Sequence, residues 1–133
     1  ASFDGKAMLW DVEQARYLRT LAGHGASVLF ASFAKTSPFL LTRSTDIEAP
    51  VIIWTVEGER QQTIGYRLQV TAAEWAPDGL VLATTSTDRA ARLWDIFSGL
   101  CLQIFSHDFQ VNLIAFSPDG VFLATGAADS SVR

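Results

Sequence analysis

The sequence predicts an all-β fold of small antiparallel sheets stacked side by side. Three observations predict it. One pattern recurs at steps of 42 and 41 residues, each copy breaks into short apolar runs separated by turn residues, and no ten-residue stretch shows helical periodicity. The recurrence emerges when Gly23-His24 is laid over Gly65-Tyr66 and Ser106-His107. Nine positions beyond each anchor stand Phe33, Trp75 and Phe116; sixteen beyond stand Leu40, Leu82 and Leu123; twenty-two beyond stand Asp46, Asp88 and Asp129. Asp4 continues the aspartate series upstream by 42, and Trp10, Trp54 and Trp94 follow their aspartates by six, eight and six residues. The two additional residues of the middle interval fall within Ile47-Glu48-Ala49-Pro50, a longer turn.

Each unit divides in the same way. In the first complete one, Val28 to Phe33, Phe39 to Thr42, Val51 to Trp54 and Gln62 to Ile64 are the strands, and equivalent runs recur downstream. Ala76-Pro77-Asp78-Gly79 and Ser117-Pro118-Asp119-Gly120 are turns, because proline presets φ and glycine takes the left-handed position. Lys35-Thr36-Ser37-Pro38 holds the same place with weaker turn chemistry. A sheet of four short strands cannot bury both of its faces by itself. Sheets set around an axis can, and that arrangement is a β-propeller.

Composition narrows the function classes. The 133 residues are 49% hydrophobic and 18% charged, enough to bury a core. Ten basic against fourteen acidic residues give a net charge of -4, which disfavours a nucleic-acid partner. No apolar run has the length of a transmembrane helix, so no membrane partner is expected, and Ala1 to Lys6 lacks the basic and apolar regions of a secretion signal. The single cysteine, Cys101, cannot form an internal disulfide, reads as a small apolar residue in a strand, and is compatible with a reducing compartment. An intracellular location, cytoplasmic or nuclear, is the expectation. His24 and His107 are 83 residues apart and Cys101 has no partner at ligand spacing, so neither a metal nor any other cofactor is expected. The tryptophans recur at fixed positions and read as core packing.

Gly23-His24, Leu9-Trp10-Asp11, Leu93-Trp94-Asp95, Ser117-Pro118-Asp119-Gly120 and Leu123-Ala124-Thr125-Gly126 resemble the motifs of the WD-repeat family, and the resemblance covers essentially the whole chain. It implies a propeller whose blades each have four strands, a to d from the axis outward. On that pattern residues 1–22 are strands c and d of one blade, 23–64 and 65–105 are complete blades, and 106–133 are strands a and b of another. The sum is about three blades, two complete and two halves. Three would make an unusually small ring. Either the chain is part of a longer propeller, or copies assemble as a homo-oligomer in which strands a and b of one pair with c and d of the next. Two copies would close a ring of six.

The resemblance also implies a hydrogen-bonded cluster in each blade, built from a histidine, a hydroxyl, the turn aspartate and a tryptophan. The positions are His24, Thr42, Asp46 and Trp54; then Thr84, Asp88 and Trp94, with Tyr66 in the histidine's place; then His107, Thr125 and Asp129. A histidine, a hydroxyl and a carboxylate also suggest a catalytic triad. The set recurs once per sheet, however, whereas an active site is expected once, so the reading is structural and no enzyme activity is expected. Binding in such a fold falls on loops carried by a rigid scaffold. In the family, the loops between strands d and a and between b and c form the docking face. The matching residues are Phe3; Ser27, Leu29 and Thr45; Gln69, Thr71 and Thr87; and Gln110, Asn112 and Ala128, with Arg67 and Phe109 on the same rim. The function this implies is a scaffold for a protein or peptide partner, with Phe3 and Leu29 as apolar anchors.

Overall fold

The computed structural model describes residues 2–65 and 67–128. They form twelve strands in four antiparallel sheets. The first sheet pairs β1 (Lys6–Asp11) with β2 (Arg16–Ala22). The second has β3 (Val28–Phe33), β4 (Phe39–Ser44), β5 (Val51–Thr55) and β6 (Arg60–Ile64) in sequence order. The third repeats it with β7 (Val70–Trp75), β8 (Val81–Ser86), β9 (Ala90–Asp95) and β10 (Cys101–Ser106). The fourth pairs β11 (Val111–Phe116) with β12 (Leu123–Ala127). The fold is thus all-β, with two four-stranded blades and two half-blades. β4 runs further than its apolar run suggested, because Ser44 still pairs with Val28. Among the described residues there is no helix, hence none long and apolar enough to cross a membrane.

Sheet stacking explains which strands alternate. Val51 and Ile53 of β5 pack with Leu82 and Trp75 of the third sheet, while Ile52 and Trp54 pack with Leu21 and Ala7 of the first. Both faces are covered, so β5 carries an unbroken apolar run, all four residues buried. β1 has one covered face, and its exposure alternates: Ala7 and Leu9 point inward, Met8 and Trp10 outward. Trp10 is 55% exposed, which corrects its assignment to the core: no strand lies along the other edge of β1 among the described residues. A smaller cluster of Ala83, Ala91 and Ile114 joins the third sheet to the fourth. β10 is exposed throughout, Cys101 included, since only two strands of the fourth sheet, β11 and β12, stand among the described residues.

The turns between the first and second strand of the second, third and fourth sheets repeat one hydrogen bond: Ala34 to Phe39, Ala76 to Val81 and Ser117 to Phe122, all at 2.9 Å from N–H to carbonyl. They also interlock neighbouring sheets. Thr36 and Ser37 donate to the carbonyls of Pro77 and Gly79, each at 3.1 Å. Gly79 has φ +68°, and a Cβ there would lie 2.7 Å from Ser37 Oγ, so this position requires glycine both for conformation and for space.

Candidate functional site

The polar cluster of the second sheet is closed. His24, on the connection into β3, is buried, and Nε2 lies 2.6 Å from Thr42 Oγ1 while Nδ1 lies 2.7 Å from the Ala49 carbonyl. The Trp54 indole N–H donates to the same Thr42 oxygen at 2.8 Å. One proton arrangement satisfies all of them. Nδ1 carries the proton and donates to Ala49, Thr42 donates its hydroxyl proton to Nε2, and Thr42 accepts from Trp54. Burial holds the His24 pKa below its ordinary range and keeps the ring neutral, as that arrangement needs. Gly23 is small for a reason: a Cβ there would meet the Trp54 ring at 3.1 Å.

Asp46 joins this cluster indirectly. Its carboxylate accepts the Gly25 N–H at 2.7 Å and the Glu48 N–H at 2.9 Å. The first of these bonds is the main reason its pKa lies below the usual value. Asp46 thus acts on the histidine through the Gly25 connection and by its charge rather than by a hydrogen bond to the ring. The longer turn through residues 47–50 places the Ala49 carbonyl on the ring instead. In the third sheet Trp94 donates to Thr84 at 2.8 Å, and Asp88 is held by both terminal nitrogens of Arg92. Partial burial opposes the ionisation of Asp88, and Arg92 outweighs it, leaving its pKa lowered. Tyr66 lies outside the described residues. In the fourth sheet His107 Nε2 is 2.8 Å from Thr125 Oγ1; Asp129 lies outside the described residues. Among the described residues no group of three metal-ligating side chains converges.

The loop positions share a backbone device. Thr45 N–H donates to Ser27 carbonyl at 3.2 Å, Thr87 to Gln69 at 3.1 Å and Ala128 to Gln110 at 2.8 Å, so both loops of each sheet are tied together at one end. Just beyond, the first strand of each sheet bulges. The register skips between Val28 and Phe30, between Val70 and Ala72 and between Val111 and Leu113. The extra residue in each case is one of the proposed contact positions: Leu29, Thr71 and Asn112. A bulge re-aims the side chain that it carries. Leu29 and Asn112 are exposed, as are Thr45, Arg67 and Gln69, while Ser27, Thr87 and Gln110 are half-buried. Phe3 is 93% exposed and Phe109 52%, and the antiparallel bridge of Ser2 with Val28 sets Phe3 on the Ser27 side of that bridge. Thr71 is different. Its hydroxyl lies 2.8 Å from that of Thr85 and donates to the Val111 carbonyl at 2.6 Å, so it ties the third sheet to the fourth. Sequence reading missed Ile47, half-exposed in the longer turn beside Glu48, which itself pairs with Arg67 at 3.9 Å. Its signal was the two-residue insertion. A cleft of about 280 Å³ at the opposite end, lined by Phe33, Lys35, Trp75, Phe116 and Pro118, was also missed, since its walls come from three different sheets.

Stacked antiparallel sheets that repeat a tryptophan–threonine or a histidine–threonine bond at the same place define a β-propeller of repeated units. The family model for the WD domain, G-beta repeat, matches residues 58–95 and 99–133, more than half of the chain. The chain belongs to the WD-repeat family. Each matched unit spans the outer strand of one sheet and inner strands of the next, so one repeat staples two sheets together. Among curated relatives, the chain is similar to nuclear distribution protein nudF 1 of Talaromyces marneffei, 27% identical over 77% of this chain and 23% of the relative. It is similar to mitochondrial division protein 1 of Candida glabrata, at 30% over 76% of this chain and 15% of the relative. It is also similar to pre-mRNA-processing factor 19 homolog 2 of Arabidopsis thaliana, at 33% over 79% and 21%. The chain therefore spans less than a quarter of the length of each. Proteins of this family serve generally as protein-interaction scaffolds.

Proposed function

We propose that this chain is a non-catalytic docking segment that presents the bulged end of its sheets to a protein or peptide. The repetition of the bulge carries the reading: three sheets project Leu29, Thr71 and Asn112 from the same place on a tied pair of loops. Thr71 serves as a brace, and Leu29, Phe3, Ile47 and Phe109 supply apolar contact among polar neighbours. In the cluster of the second sheet Thr42 uses its proton on His24 and its oxygen on Trp54. A displayed peptide library selected on the chain tests the reading. Selected peptides should bind the Leu29→Asp and Phe109→Ala variants at least about tenfold more weakly, as loss of an anchor predicts, with melting unchanged. Equal binding to both variants would refute it.

A further inference from the structure

The cleft at the end opposite the docking loops is built from repeated positions. Phe33, Trp75 and Phe116 stand nine residues beyond their anchors, at the ends of β3, β7 and β11, and all three line it. The turns that follow add Pro77 and Pro118, so the inner strands of three successive sheets and their turns supply the walls. Trp75 is buried and donates its indole N–H to the Ser32 carbonyl at 3.3 Å, which leaves its ring only apolar contact to offer. Two charges share the lining: Lys35 on the turn after β3, and Glu74 on β7. Both are exposed, and among the described residues neither forms a hydrogen bond or an ion pair, with the other or with a third group. Arg43 lines an adjoining recess together with Glu74, but its guanidinium is given to the Val70 carbonyl.

We propose that this cleft is a second docking site, for a peptide segment that carries one basic and one acidic side chain about an apolar one. Charge complementarity selects the occupant. A purely apolar ligand would cover Lys35 and Glu74 and replace their water with nothing. A ligand with charges of one sign would be attracted by one of them and repelled by the other. A segment with both signs answers each, and its apolar residue covers the aromatic lining. Successive side chains of a strand face opposite ways, so Glu74 is turned away from Trp75 and towards the fourth sheet, where Phe116 packs. Arginine suits that corner, because its planar guanidinium pairs with a carboxylate and stacks on an aromatic ring. The volume of about 280 Å³ lies just under the roughly 300 Å³ at which small-molecule sites begin, which fits one or two side chains of a peptide. The docking loops and the cleft occupy opposite ends of the sheets, so both can be filled at once.

Nitrogen–proton correlation spectra of the 133-residue chain, titrated with pools of acetylated and amidated peptides, test this. Each pool fixes a pair of residues around a few random uncharged ones: arginine and aspartate in either order, arginine twice, aspartate twice, or glutamine and asparagine. The mixed-charge pool should move the Trp75 indole and the Lys35 and Glu74 amides at the lowest concentration. The neutral pool should need about fivefold more, as loss of exposed ion pairs predicts. Reversing either charge should redirect the choice: Glu74→Lys should favour the aspartate pool and Lys35→Glu the arginine pool. Both residues are exposed, so melting should not change. A neutral pool as effective as the mixed one would show an apolar surface without this selectivity and overturn the proposal. So would a single-sign pool that acts best on the wild type, silence of these signals with every pool, or variants that keep the wild-type preference.

Discussion

Thr42→Val is the most incisive single change, because one oxygen serves two buried partners. Valine keeps the shape and removes the donor to His24 Nε2 and the acceptor for Trp54 Nε1. Leaving one buried polar group unpaired costs about 1–3 kcal/mol. His24 and Trp54 are both buried, so neither recovers water without opening the sheet. Two such losses, partly relieved by relaxation, come to roughly 2–4 kcal/mol. Thr84→Val is the internal control. Its described partner is Trp94, which is only half-buried, so the cost should be about 1 kcal/mol. Urea unfolding followed by far-ultraviolet circular dichroism gives both values from midpoint and slope. Among the described partners Thr42→Val and Thr84→Val differ by one, and the first should cost at least twice the second. Equal costs would refute the view that Thr42 is the hub of the cluster.

Acid should act on the same cluster. The folded pKa of His24 lies below its ordinary 6.5, so the unfolded chain binds a proton that the fold excludes. The stability this neutral ring contributes is complete above 6.5 and is lost as pH falls below it towards the folded value. Asp46 and Asp88, whose pKa values are lowered from 3.8, lose their contribution only in more acid solution. Between pH 6 and 5, at values set by histidine titration, unfolding free energy should decline in the wild type and stay flatter in His24→Gln; parallel slopes would contradict this. At the inter-sheet turn, Gly79→Ala combines a left-handed φ with a 2.7 Å clash and should cost about 2 kcal/mol or more, measured by midpoint shift. Gly120→Ala has the same hand of φ and nothing nearer than Pro77 at 3.3 Å, so it should cost less.

Much of the fold was readable because the repeat fixes positions as well as types. The aspartate and tryptophan spacings located the sheets, and Ala76 to Gly79 announced its turn. The unbroken run from Val51 to Trp54 reads as a strand because it is one of the four short apolar runs of a repeat. Less readable was whatever depends on a neighbouring sheet. Trp10 has the family's residue at the family's spacing, yet is exposed, with no strand on the other edge of β1 among the described residues. The role of Ala49 on the His24 ring came from a backbone carbonyl in an insertion, which carries no side-chain signal. Bulges likewise leave no mark in residue type: leucine, threonine and asparagine fill the same bulged position.

The ties between sheets show why such features escape pattern reading. In the third and fourth sheets the first residue of the inner strand offers its carbonyl to the preceding sheet, and different chemistry answers it. Val70 receives the guanidinium of Arg43 at 3.2 Å from the second sheet. Val111 receives the hydroxyl of Thr71, itself bonded to Thr85, from the third. Arg43 and Thr85 are one repeat apart, so the same brace is built once by a long cation and once by two short hydroxyls. Burial lowers the pKa of Arg43 without discharging it, so its bond to Val70 stays charge-assisted. Arg43→Met keeps the aliphatic stem and removes the donor, and should cost about 1 kcal/mol in a half-buried site. Arg43→Ala, which also loses the stem's packing, should cost more. Hydrogen exchange should then rise in β7 ahead of β9, since the brace holds the inner edge of the third sheet. Uniform change across the two strands, or an Arg43→Met variant as stable as the wild type, would show that packing between the sheets suffices without the brace.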